Sequence, residues 1–322
     1  MVMFRTFIFT LLFTITSANA GDLIPVRWLF DLGPMGNHSW VVRAVEDGTF
    51  EKHGFDIDLV GIGPGSSKTS LALHSGKADV GYHDFSGVVL VNSRNSSPGV
   101  KAIFVVDDRS QDHVFYRKDS GIKTLDDLDG KLVGAYATST IRKVLPIVTD
   151  AKPNIISMNH GLTVPALVSG EVDAILAFTT TGIFNLKKTG FEDFGYLPVS
   201  GTLGFPVGRV ITASYQWLER YPGADAKLRI ALEEALMRHI ADPKISVSHL
   251  SNPLVSTEEG VMTEIARARY NIRDLIITDN THKHGLSNAK QLAPRLNQYI
   301  DLLVNQLDLP HKHNYLDYYT LQ

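Results

Sequence analysis

Short apolar runs alternate with helix-length amphipathic stretches along most of this chain. Residues 26–31, 55–60, 78–82, 100–106 and 114–117 read as strands, each a brief apolar or alternating run bounded by turn residues. Between them, 39–49 carries an apolar stripe at Val41, Val42, Ala44 and Val45, and 66–75 stops at Gly76, the residue type that most easily closes a helix. The pattern continues with a strand at 131–135, a helix at 139–149, a run at 154–158, a helix at 164–169 and strands at 174–177 and 207–213. Beyond Tyr215 the chain is mainly helical. Its last helix, about 288–307, contains Pro294, which predicts a kink or a first turn there. Thr124 to Asp127 and Ser256 to Glu259 have the spacing of capping boxes. Strands alternating with helices predict an α/β fold with mostly parallel strands.

An internal repeat organises these elements. Ala72-Leu73-His74-Ser75-Gly76-Lys77-Ala78-Asp79-Val80 matches Ala166-Leu167-Val168-Ser169-Gly170-Glu171-Val172-Asp173-Ala174, an offset of 170 − 76 = 94 residues. In each copy a helix stops at Ser-Gly and a small apolar strand follows. Asp79 and Asp173 hold the same repeat position, which marks them as structural. The chain therefore reads as two similar α/β lobes, Rossmann-like in plan and joined by two crossing strands. One lobe comprises 21–115 and 214–322, the other 116–213, with a cleft between them.

The N-terminus stands apart from this pattern. Arg5 precedes an apolar stretch built on Phe7, Ile8, Phe9, Leu11, Leu12, Phe13 and Ile15, and Ala18 and Ala20 place small residues before a cut after Ala20. This is the pattern of a cleaved secretory signal. The run is short of the ~20 residues that span a bilayer, so a soluble periplasmic protein is expected. The chain has no cysteine, which excludes disulfides, thiol catalysis, iron–sulfur clusters and cysteine-based zinc sites, as well as a lipid anchor on cysteine. The formal net charge is −3, and loss of Arg5 with the leader makes it −3 − 1 = −4. No basic face marks a nucleic-acid partner.

In open α/β lobes, ligands sit beyond the carboxyl ends of the strands, near helix N-termini. That rule selects Ser66 and Ser67 after the second strand, Asp84 and Phe85 after the third, Tyr136, Thr138, Ser139 and Thr140 after the strand opening the second lobe, and Phe178 and Thr179 after its counterpart. For each group the alternative is helix capping. Gly63-Pro64-Gly65-Ser66 is neither a P-loop nor a dinucleotide fingerprint, because Ser67 and Ser66 stand where those motifs need glycine. His282, His284, His311 and His313 lie in the C-terminal region without carboxylates beside them in a ligand pattern, so a solvated surface is expected there and no metal.

Four segments resemble one family. They are Gly48 through Gly54 to Asp58, Leu73 to Gly81, Gly121-Ile122-Lys123-Thr124 followed by Asp127-Leu128-Asp129-Gly130-Lys131 and Gly134, and the repeat copy at 165–174. Together they are similar to the solute-binding proteins of the nitrate/sulfonate/taurine and thiamine-pyrimidine-precursor type. The resemblance implies a type II periplasmic-binding fold, closure of the lobes on a ligand, and delivery to an inner-membrane ABC permease with its ATPase. It implies no cofactor, and a monomer is expected. Within it, Asp31, Pro34, Asn37, His38 and Ser39 match a segment of the pyrimidine-precursor proteins, with Leu32 in place of a Trp and Trp40 nearby. Asp31, Asn37, His38 and Trp40 thereby become ligand-binding candidates. Family enzymes that make the pyrimidine rely on a cysteine cluster, so their activity is not carried over.

The expectation is a binding protein for a small polar heteroaromatic. A sulfonate, taurine or nitrate binder is the alternative within the class. The selected loops are rich in Asp, His, Ser, Thr and aromatics, with Lys68 and Arg142 set one or two turns into their helices, which disfavours a bare anion. An enzyme on the same fold is the alternative from another class. The chain has neither a His-Glu-x-x-His helix nor a Gly-x-Ser-x-Gly elbow, and its Ser120 to Lys123 spacing belongs to the turn before the capped segment. A sensor role is also compatible with the sequence.

Overall fold

The computed structural model describes residues 22–159, 161–199 and 208–320. The leader-like segment lies outside them. Ten strands form two five-stranded sheets. The first contains β1 (Ile24–Phe30), β2 (Phe55–Ile62), β3 (Val80–Asp84) and β4 (Val100–Val105). The second contains β5 (Asp112–Arg117), β6 (Leu132–Tyr136), β7 (Asn154–Met158), β8 (Ala174–Phe178) and β9 (Phe194–Pro198). The chain then returns to the first sheet as β10 (Arg209–Ser214).

The two sheets share one plan, β2-β1-β3-β10-β4 and β7-β6-β8-β5-β9. In each, three parallel strands are followed by an antiparallel crossing strand, β10 or β5. The sheets are therefore mixed rather than mostly parallel, because each crossing strand enters from the other lobe and runs against its neighbours. β5 lies whole in the second sheet and β10 whole in the first. The exchange between sheets thus falls a few residues ahead of the boundaries expected at 116 and 214.

The repeat has a shared structural cause. Gly76 and Gly170 take φ of 71° and 80°, the left-handed region that favours glycine at a helix end. Three residues later, Asp79 accepts from the backbone N–H of Arg27 at 2.9 Å, and Asp173 accepts from that of Leu132 at 2.8 Å. Each aspartate also exchanges backbone hydrogen bonds at the same point, Asp79 N–H to the Arg27 carbonyl and Asp173 N–H to that of Leu132. Each carboxylate thus ties the head of its own strand to the central parallel strand, at the middle of β1 and at the start of β6. Asp79 adds an ion pair with the Arg27 guanidinium at 2.8 Å.

Three buried clusters hold the molecule together. Val26, Trp28 and Phe55 pack with Leu228, Leu232 and Ile265, so helices Ala224–Ala241 and Glu258–Tyr270 cover the first sheet. Phe115, Leu167, Ile175 and Leu186 form the second lobe's own core. A third cluster runs from Phe85, Val88 and Leu296 to Val114, Val133 and Leu176, joining the lobes through apolar contact. Pro294 sits inside the helix Ala289–Gln306. The capping expectations shift slightly. Thr257, not Ser256, caps its helix by accepting from Gly260 N–H. Asp127 accepts from Thr124 N–H and Oγ1 ahead of a single 3-10 turn, Asp126–Leu128. Helices Phe85–Asn92 and Thr179–Lys188 and strand β9 emerge without having been anticipated.

Candidate functional site

The ends of β1 and β2 face those of β6, β7 and β8 across a cavity of about 520 Å³. The first lobe contributes Leu32 and Gly33 after β1 and residues 62–66 after β2. The second contributes residues 136–141, Met158 and Asn159, Leu176 to Phe178, and Thr181. The loop after β2 owes its path to glycine. A Cβ on Gly63 would meet Thr69 Oγ1 at 2.2 Å, and Gly65 has φ of 95°. The Gly65 N–H donates to the Asp31 carbonyl at 3.0 Å, which sets the helix Ser66–His74 against the strand end.

Six of the anticipated residues line this cavity: Ser66, Tyr136, Thr138, Ser139, Thr140 and Phe178. Their hydroxyls are not equally available. Ser66 Oγ donates to Asp31 Oδ2 at 2.8 Å and accepts from Asp84 N–H at 3.1 Å. Thr138 Oγ1 crosses the cleft and donates to the Pro64 carbonyl at 2.8 Å, a direct hydrogen bond between the lobes. The Tyr136 phenol has its pKa raised, by burial above all. Ser139 and Thr140 have no side-chain hydrogen bond among the described residues, and neither does Asn159, which sequence reasoning missed. Asn159 follows β7, so the rule that selected the other loops also points to it.

The remaining candidates lie behind the wall. Asp31, Asn37, His38, Trp40 and Phe85 are buried, and none of them lines the cavity. Asp31 pairs with the fully buried Arg209 at 3.2 Å. The Arg209 guanidinium also contacts His38 Nε2 and stands 5.4 Å from the Tyr82 ring and 5.2 Å from the Phe178 ring. His38 Nδ1 accepts from Met35 N–H at 3.2 Å. Burial first, and Arg209 and Arg267 next, push the His38 pKa well down, so the ring is neutral. Trp40 packs edge-on against Tyr82 at 5.9 Å, and Phe85 lies tilted against Tyr299 at 6.3 Å.

Asp84 takes the capping alternative. Its carboxylate accepts from Ser86 N–H at 2.9 Å at the start of helix Phe85–Asn92. Burial pushes its pKa up to about 6, the nearby Asp31 adds to this, and the Ser86 hydrogen bonds act against it. Thr179 is buried at its helix start, its N–H donating to the Gln111 carbonyl at 3.0 Å. Ser67 is half-buried and does not line the cavity. The strand-end rule selected loops that border this cavity, but it does not say which way each side chain turns. Arg209 was missed, although a lone arginine opening an apolar strand is a signal in itself.

Behind the site, Asp107 and Asp112 sit at the first crossover. Burial pushes Asp107 up to about 6 and Asp112 well above the usual carboxylate range. Arg209 opposes both shifts, while Asp84 raises Asp112 further.

Two sheets of one plan, joined by two crossing strands and enclosing a ligand-sized cleft, define a protein of the periplasmic-binding fold. The model of the NMT1/THI5-like family matches residues 35–245, more than half of the chain. The chain belongs to that family. Among solved structures, it resembles the alkanesulfonate-binding protein SsuA of Xanthomonas axonopodis pv. citri bound to MOPS, at 15% identity and a TM-score of 0.65, covering 90% of this chain and 96% of that one. The periplasmic aliphatic sulphonate binding protein SsuA of Escherichia coli matches at 14% identity and a TM-score of 0.64, covering 91% and 96%. A Candida albicans protein described as having the generic periplasmic binding protein fold matches at 11% identity and 0.63, covering 93% and 96%. A search of the curated proteins finds no match.

Proposed function

We propose that this chain is the solute-capturing component of an ABC importer, carried to the periplasm by its N-terminal segment. We further propose that it closes on a small planar, pyrimidine-like molecule. The observation that carries the ligand class is the lining of the cleft. Among the described residues it contains no carboxylate, ammonium, guanidinium or imidazole. Phe178, Met158, Leu32 and Ile62 offer apolar surface, while Ser139, Thr140 and Asn159 offer polar groups. A heteroaromatic buries its faces on the first set and bonds its ring edge to the second. A full charge placed there would lose hydration without a counter-charge in contact.

One observation favours a sulfonate as a second reading. Helices Ser66–His74, Ile141–Val148 and Thr179–Lys188 all begin at or beside the cavity, and helix N-termini attract anions. The Xanthomonas protein of similar fold is described with MOPS bound. Capture rather than chemistry fits a chain without cysteine, because the family's cysteine-dependent reaction is closed to it.

A thermal-shift screen of the chain from Gly21 onward tests the reading, with pyrimidines, alkyl sulfonates, taurine and nitrate. A ligand at a hundredfold excess over Kd stabilises by about 2.7 kcal/mol. A shift with pyrimidines supports the proposal. A shift confined to sulfonates selects the second reading. Turnover of a ligand in place of a shift would overturn both.

A further inference from the structure

A second cavity, of about 410 Å³, lies where helix Thr179–Lys188 and β9 meet helix Glu258–Tyr270 and its π-type continuation, Asn271–Ile276. It shares no lining residue with the cleft. Its walls include the rings of Phe184, Tyr196 and Tyr270, with Phe184 and Tyr270 edge-on at 5.9 Å. Tyr196 is 46% exposed, much for an aromatic on a strand. Among the described residues, three cations also line it, Lys187, Arg269 and Arg273, and no carboxylate does.

Arg273 is neutralised by Asp274 at 2.5 Å. Exposed Lys187 and Arg269 make no ion pair among the described residues. The cavity therefore joins three aromatic side chains to two positive charges without ion-pair partners, Phe184 and Tyr270 each carrying an arginine on one ring face, Arg267 at 5.0 Å and Arg273 at 6.0 Å. Its two sides belong to different parts of the fold. Phe184 and Lys187 stand on the second lobe's helix, and Arg269 and Tyr270 on a helix packed against the first sheet.

We propose that this is a second small-molecule site, for a planar aromatic anion. A ring inserted among Phe184, Tyr196 and Tyr270 gains stacking and burial, and its carboxylate or sulfonate meets Lys187 and Arg269. The occupant would bridge the second lobe and the helix above it. The same helical segment reaches the crossover, since Asn271 Nδ2 donates to Asp107 Oδ1 at 2.8 Å. The proposal does not depend on the cleft's ligand.

The test is calorimetric titration of the full chain with naphthoate and with its neutral analogue naphthalenemethanol. Naphthoate is expected to bind with one-to-one stoichiometry, about tenfold more tightly than the alcohol, a difference worth ~1.4 kcal/mol. Its affinity should fall with added salt. The double variant Lys187→Gln/Arg269→Gln alters only exposed side chains and should weaken naphthoate by about tenfold while leaving the melting temperature in place. Phe178→Ala, in the cleft, should leave naphthoate binding unchanged. Absence of binding at millimolar naphthoate, equal affinity in the double variant, or loss of binding in Phe178→Ala would each overturn the proposal.

Discussion

Replacing Asp84 by Asn removes a buried negative charge while keeping the oxygen that caps helix Phe85–Asn92. Asn is as good an N-cap as Asp, so the hydrogen bond from Ser86 N–H at 2.9 Å survives. What changes is ionisation. Burial raises the Asp84 pKa from 3.8 to about 6, so the native state holds this proton more tightly than the unfolded chain does. Well below pH 3.8 the carboxyl is protonated in both states and its contribution is fully present. As pH rises through the window from 3.8 to about 6 the native state loses that advantage, and above it the loss is complete. A shift of this size corresponds to about 3 kcal/mol. About a third of that is already lost at pH 4.5, so the wild type should become less stable between pH 4.5 and pH 8 by about 2 kcal/mol from this group. Asp84→Asn should be spared it. Urea denaturation at pH 4.5, 6 and 8 reads the difference directly, as a gap between variant and wild type that opens with pH. A gap independent of pH, or a variant less stable at pH 8, would show instead that Asp84 is ionised and well partnered throughout.

Four further expectations follow from named contacts. Asp173→Ala removes the acceptor for Leu132 N–H and should cost ~1.5–3 kcal/mol. Asp79→Ala also loses the Arg27 ion pair and should cost more, both read by denaturant unfolding. Thr138→Ala breaks the hydrogen bond to Pro64 across the cleft and should weaken cleft ligands about two- to tenfold, from ~0.5–1.5 kcal/mol, with little change in the ligand-free melting temperature. Gly63→Ala sets a methyl group 2.2 Å from Thr69 Oγ1. The loop must then shift, and calorimetry should show cleft binding reduced by at least about tenfold.

The fold was largely legible because the repeat at Asp79 and Asp173 encodes the same device twice, a helix stop followed by a carboxylate that ties two parallel strands. β9 escaped because Phe194-Gly195-Tyr196-Leu197-Pro198 ends in proline and pairs on one side only, with β5. Helix Phe85–Asn92 escaped because every residue is buried, so it has no amphipathic period to reveal it. At the site, loop position was readable but side-chain direction was not. Ser139, Thr140 and Phe178 line the cleft, whereas Asp31, His38 and Asp84 are buried in a network around Arg209. That network is assembled from residues far apart in sequence, and β10 supplies its cation from the far side of the second lobe. Local patterning carries no trace of such a meeting.

The most direct test of the central claim is calorimetric titration of a substituted pyrimidine and an alkyl sulfonate into the wild type, Asn159→Ala and Phe178→Ala. The pyrimidine is expected to bind with one-to-one stoichiometry, both variants to weaken it by about tenfold or more, and the sulfonate to bind far less tightly. Binding of the sulfonate alone, or pyrimidine binding indifferent to both substitutions, would contradict that claim.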